Sequence, residues 1–333
     1  MAWNLQNWLV GLPLGSAQPG FAGPIGSINI GEGDMKMPWL DGRMKWGTAT
    51  VLAALWLTLS GTASAGIADT KHNLGNTSTQ TNHVTGTGNS DTTTNEICVF
   101  CHTPHGADVT TPNAPPLWNK RLNTGATYTT YATLNTGSLD GEVLPVGSIS
   151  VACLSCHDGT QAMDNIINAP GSGAYQADGG GAEGRNYTWT AAGPGGRMAP
   201  GIANLGEDLS NDHPIGIQYC GGGISGSANA TSGTCKDGDF VSSAARLKTA
   251  AGASGQQFWV ETGAIADGVR TRTDLPLYTR TFASGVGPSV ECGSCHDPHV
   301  SEGQAGPNGQ TAGATFLRIS NSASAVCTSC HVK

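Results

Sequence analysis

Charge is scarce in this chain: 12% of its 333 residues are Asp, Glu, Lys or Arg, and the balance is negative, a formal -8 at neutral pH. No run of basic residues exists to follow a phosphate backbone, so nucleic acid is excluded as a partner. Aromatic residues make up 6%, and long aliphatic runs are few, so side chains alone would build a thin core. After residue 65 the only methionines are Met163 and Met198. In their place stand 49 glycines, ten cysteines and nine histidines. Something other than aliphatic side chains is expected to fill the interior.

The one substantial apolar run, "TATVLAALWLTL" at 48–59, follows the basic start Met44-Lys45 and precedes Ala63-Ser64-Ala65. That order of basic start, apolar core and A-x-A site is that of a secretory signal, and the core falls short of the roughly 20 residues a spanning helix needs. Residues 35–65 are therefore expected to be removed, with the mature chain starting at Gly66. Residues 1–34 contain no basic residue and are expected to be an upstream extension, translation starting at Met35, Met37 or Met44. No cysteine lies between the cleavage site and Cys98, so neither a lipid anchor nor any other membrane anchor is expected. The product should pass through the periplasm and end extracellular.

The mature chain falls into three stretches: 66–160, a polar arm followed by a first cysteine-rich pair; 161–290, a glycine-rich insertion with hairpins; and 291–333, a second pair. The pairs form an internal repeat. "CVFCHTPH" at 98–105 matches "CGSCHDPH" at 292–299, and each is followed by a shorter copy, "CLSCHDG" from Cys153 and "CTSCHVK" from Cys327. C-x-x-C-H is the attachment sequence of c-type haem: two thiols bond the ring while the adjacent imidazole reaches the iron. Four copies in an exported chain imply four covalent haem c groups, attached at Cys98/Cys101, Cys153/Cys156, Cys292/Cys295 and Cys327/Cys330. Zinc or disulfides could use the cysteines but would leave the four following histidines unexplained. The proximal iron ligands are then His102, His157, His296 and His331. Cys220 and Cys235 lack a following histidine and are expected to form a disulfide across a glycine-rich loop.

Five histidines remain for four distal positions: His72, His83, His105, His213 and His299. His105 lies three residues from His102, on the same side of any helical turn, so the two cannot straddle one iron. It is expected to serve the haem of Cys153/Cys156, and His299, by the same logic, that of Cys327/Cys330. His72 and His213 are taken for the other two, leaving His83 over. All four irons would be bis-histidine, with no open position for a substrate.

The fold expected is mostly irregular, a multihaem arrangement with short helices at the motifs and a few hairpins. Thr94 or Asn95 should cap the first motif and Ser322 or Ser324 the last. Strands are expected at "TYTTYATL", "FWVE", "VRTRT" and "LYTRTF". Gly171–Gly201 and Gly221–Gly233 should be loops, and 66–95 an extended arm.

The segments "KHNL", "EICVFCHTPHGA", "PLWNK", "CLSCHDGT", "NDHPIG", "ECGSCHDPH" and "FLRISNSASAVCTSCHVK" together resemble the extracellular tetrahaem cytochromes of the OmcE type, the subunits of bacterial cytochrome nanowires. The resemblance covers most of 67–333. It implies identical subunits joined head to tail, a continuous haem stack, His72, His105, His213 and His299 as distal ligands, and one histidine supplied to a neighbouring subunit, with His72 the first candidate and His213 the second. It further implies upstream envelope cytochromes as donors and metal oxides, electrodes or other cells as acceptors. A monomeric periplasmic electron shuttle is the alternative, and a multihaem reductase a third. Amino-terminal sequencing of exported protein is expected to read Gly-Ile-Ala-Asp; peptides from 1–34 would contradict the assignment of the start.

Overall fold

The computed structural model describes residues 66–332 apart from 89–91, 111–114, 124, 172–174, 213, 224–233, 242–245, 253–254, 264–266 and 307–308. The expected extension and signal at 1–65, His213, and most of Gly221–Gly233 lie outside the described residues. The rest has few helices, one antiparallel sheet and much loop.

The helices are α1 (Ser148–His157), α2 (Cys292–Cys295) and α3 (Ala325–Thr328), joined by short 3-10 turns including Cys98–Phe100. Every C-x-x-C pair thus lies on a helical turn, which brings the two cysteines to one side of the chain. The capping expected at the ends differs in detail. Neither Ser322 nor Ser324 caps α3 through its side chain; Asn321 does so, its Oδ1 accepting the Val326 N–H at 3.2 Å. At the first motif Thr94 binds the Glu96 N–H at 2.9 Å, a turn two residues short of the 3-10 segment, which carries no side-chain cap.

The sheet has five strands, β1 (Ile217–Gln218), β2 (Leu247–Gly252), β3 (Gly255–Val260), β4 (Leu275–Phe282) and β5 (Gly285–Val290), in the order β1-β5-β4-β3-β2. β4 contains a proline at a position where strands normally donate a hydrogen bond. The register explains it: β4 pairs with β3 through Leu275–Leu277 and with β5 only from Tyr278 onward. Pro276 therefore has one neighbour, as at a sheet edge. "FWVE" and "LYTRTF" fall in β3 and β4 as expected, whereas "VRTRT" is a loop and "TYTTYATL" makes a 3-10 turn, Tyr131–Thr133, with one bridge from Thr129 to Asp208. Strand propensity without a pairing partner does not make a strand.

The apolar core is split. One cluster lies under the sheet around Tyr219, Leu247, Phe258 and Leu277 and includes the disulfide Cys220–Cys235, with S–S 2.02 Å and Cα–Cα 4.7 Å. A second joins Val84, Val99, Phe100, Ile166 and Tyr187, and a third Trp118, Leu122 and Ala152; Cys101 packs against both. The arm is not extended. Val84 is fully buried within the second cluster, and the Gly66 carbonyl accepts from Ser301 Oγ at 2.9 Å, tying the amino end to the second motif pair.

One buried carboxylate links helices to sheet. Glu291 closes the end of β5, caps α2 in a reciprocal arrangement with Ser294, and accepts from Arg280 at 2.7 Å, Ser289 at 3.0 Å and Ser150 of α1 at 2.6 Å. The Cys292 N–H reaches the same Ser150 hydroxyl at 3.1 Å. Burial raises the Glu291 pKa against the pull of these partners. Breaking such a pair strands the other charge. Glu291→Gln is expected to destabilise the protein by about 3 kcal/mol, read as a lower denaturant midpoint; an unchanged midpoint would contradict the linking role.

Candidate functional site

Three of the four motif histidines are held by a common device, a backbone carbonyl of another segment on Nδ1. In the first motif the chain returns at residues 116–120 and pairs with it: Thr103 N–H to Leu117 O at 2.8 Å, Asn119 N–H to Cys101 O at 2.8 Å, and His102 Nδ1 to Pro116 O at 2.9 Å. In the third, residues 315–319 repeat each contact: Asp297 N–H to Phe316 O at 2.8 Å, Arg318 N–H to Cys295 O at 2.8 Å, and His296 Nδ1 to Thr315 O at 2.8 Å. Even the side chains correspond. Asn119 Nδ2 donates to Val99 O at 2.6 Å and Arg318 Nε to Gly293 O at 3.0 Å, and Leu117 and Phe316 both take left-handed backbone, φ 57 and 63. The fourth motif uses the same pairing with a segment that precedes it: Val332 N–H to Asp239 O and Val241 N–H to Cys330 O, both 2.8 Å. His157 at the end of α1 is held by Ala203 O at 2.7 Å on Nδ1.

A carbonyl only accepts, so in His102, His157 and His296 the hydrogen sits on Nδ1 and Nε2 presents its lone pair. A hydrogen bond on Nδ1 is what orients an imidazole that binds a metal through Nε2. Glycine at the second position of "CGSC" is required by space: a Cβ on Gly293 would lie 2.4 Å from the Tyr278 hydroxyl.

Two of the remaining histidines face proximal ones. His299 stacks toward His102 with ring centres 6.2 Å apart and planes 22° apart. His72 meets His157 at 6.1 Å and 83°. Two imidazoles on opposite sides of one metal, each bonded at about 2.0 Å, place their ring centres roughly 6 Å apart. Both pairs therefore fit a bis-histidine iron. His72 is wedged against Phe316, ring centres 4.1 Å apart, and its Nδ1 is buried with no hydrogen-bond partner. Burial, then the neighbouring His157, lowers its pKa to about 4 against the pull of a hydrogen bond with the Pro298 backbone.

These positions differ from the pairing expected from sequence. His299 faces the first motif rather than the fourth, and His72, not His105, faces His157. The reason is tertiary: the second motif pair folds back onto the first, and the arm is pinned beside it. His105 is exposed. His331 packs against Phe240, with ring centres 4.4 Å apart. His83 binds Gln80 O through Nδ1 at 2.7 Å, and His213 lies outside the described residues. Met163 is buried and its sulfur accepts from Asn82 at 3.4 Å.

The eight motif cysteines are unbridged and run in sequence order. The Cys153 thiol donates to Cys292, which raises the pKa of Cys153 and lowers that of Cys292. Burial raises Cys101 and Cys330 to about 12 and Cys295 to about 11; the thiols of Cys156, Cys295 and Cys292, respectively, add to this. Motif one thus adjoins two, two adjoins three, and three adjoins four. Among the described residues no group of three or more His, Cys, Asp or Glu converges on one metal position; a haem iron takes four ligands from its ring and asks the protein for only two.

Sequence reasoning missed the return segments, because "PLWNK" and "TFLRI" share no residue pattern. Asn119→Ala is expected to cost about 2 kcal/mol, since the Val99 carbonyl would stay buried without its partner, and to loosen the first motif; a variant as stable as the parent would contradict this. Comparison of the chain with models of protein families, with curated proteins and with solved structures finds no match, so the resemblance noted above rests on the motifs and their order alone.

Proposed function

We propose that the chain is an exported tetrahaem c-type cytochrome that conducts electrons and assembles head to tail into an extracellular filament. The observation that carries this reading is the pair of imidazole couples, His102/His299 and His72/His157, each near 6 Å and each containing the histidine of a C-x-x-C-H motif. Bound haem supplies a one-electron iron couple at neutral pH. The cysteines tether it, the return-segment carbonyls aim the proximal imidazoles, and His299 and His72 close the far side. Iron closed on both faces favours electron transfer over reduction of a bound substrate.

The surface supports the same reading. Leu117, Ile202 and Val332 are 55%, 100% and 59% exposed, and each stands within a few residues of a proximal histidine or of the carbonyl that holds it. An apolar ring plane at each site would cover them. Serial proximity of the four motifs provides a route from the first to the fourth, and exposed His105 leaves a ligand group for contact with an identical subunit. An open head-to-tail interface yields a fibre. Among the described residues no helix is long and apolar enough to cross a membrane. Upstream envelope cytochromes would supply electrons, and metal oxides, electrodes or other cells would take them. The alternative, a monomeric periplasmic shuttle, is favoured by one observation: His72 meets His157 of its own chain.

Intact mass and alkylation test the cofactor assignment. The mature protein is expected to weigh as the chain plus four haems, and after denaturation and reduction only Cys220 and Cys235 should react with iodoacetamide. Ten alkylated cysteines would refute it.

A further inference from the structure

The two "CHxPH" repeats differ at one position, and the difference changes the environment of the last histidine. Thr103 donates its hydroxyl to the His105 carbonyl at 2.9 Å and leaves the His105 ring alone. Asp297 instead accepts from both the backbone N–H and the ring Nδ1 of His299, each at 3.0 Å. A carboxylate that accepts this bond fixes the hydrogen on Nδ1 and leaves Nε2 as the ligating atom, and the His102 ring centre lies 6.2 Å from that of His299. The other carboxylate oxygen accepts from Arg318 at 3.0 Å, and Arg318 is itself anchored to the carbonyls of Gly293 and Arg272 at 3.0 and 2.9 Å. The Asp297 side chain is 15% exposed, so water screens its charge poorly. His102, His157 and His296, by contrast, rest on neutral carbonyls at 2.9, 2.7 and 2.8 Å.

We infer that Asp297 is a positioning and tuning residue that strengthens His299 as an axial donor and lowers the reduction potential of the haem attached at Cys98 and Cys101. The inference rests on the haem reading above. A carboxylate behind an imidazole pushes electron density toward the iron and favours the ferric state, and Arg318 moderates the push. The repeat then makes two chemically unequal histidines from one motif.

Potentiometric titration of the purified holoprotein, followed by haem absorbance and by low-temperature electron paramagnetic resonance, tests it. Asp297→Asn keeps the shape and removes the charge. One of the four haems is expected to become easier to reduce, its ferric-to-ferrous ratio at a fixed potential falling about tenfold, roughly 59 mV for a one-electron couple, with a change in the resonance of that haem alone. Arg318→Gln should move the same haem the opposite way. Four haems with unchanged potentials in Asp297→Asn would overturn the inference and leave the cytochrome reading standing; should that variant fail to mature, an Arg318→Gln protein with no shift, or a shift toward easier reduction, would overturn it equally. Absence of covalent haem from the unmutated protein would instead overturn the reading on which it rests.

Discussion

The hydrogen bond from a histidine Nδ1 to a backbone carbonyl is the constraint on which the site depends. An imidazole beside a C-x-x-C turn can rotate freely and can carry its hydrogen on either nitrogen. Only one of those states offers Nε2 to a metal. His102, His157 and His296 are each fixed in that state by a carbonyl 2.7–2.9 Å away. The carbonyl must come from a second segment, so each of these three motifs needs a return segment; in the fourth, the returning segment instead packs Phe240 on His331. Much of the irregular chain can be understood as the means of bringing those segments back.

That requirement also explains the loop content and the divided core. Return segments are short and arrive from different parts of the sequence: just after the motif in the first and third, well before it in the fourth. Long helices or a continuous sheet would not permit such arrivals. The sheet and the Cys220–Cys235 bond hold the segment at 239–241 beside the last motif, for Phe240 and Cys330 both pack on that apolar cluster. Glu291 performs the equivalent service in the middle, fastening the third motif to α1 and to β4 and β5 at once. Four flat apolar groups held at the motifs would join the three small clusters into one interior.

What the sequence proposes as chemistry is local. C-x-x-C-H proposes its attachment sites within five residues, the Cys220–Cys235 disulfide follows from counting what remains, and the short helices and the strands β3 and β4 follow from local composition. The juxtaposition of histidines was not legible. His299 and His102 are brought together by the folding back of one motif pair on the other, and no local pattern encodes that. His72 sits in a polar stretch whose sequence shows no apolar face; the face it uses, Phe316, comes from the opposite end of the chain. "TYTTYATL" has strand propensity but no unpaired edge beside it. The return segments "PLWNK" and "TFLRI" are alike in backbone, including left-handed Leu117 and Phe316, and unlike in side chain, so a search for sequence repeats passes over them.

The most direct test of the central claim is electron cryo-microscopy of the protein taken without detergent from the outside of the producing cells. The account predicts fibres in which each subunit holds four haems in the order of the motifs, with His102 and His299 on opposite sides of the first iron and His157 and His72 on opposite sides of the second. A map in which those imidazole pairs do not share an iron, or particles without haem at the four motifs, would contradict it.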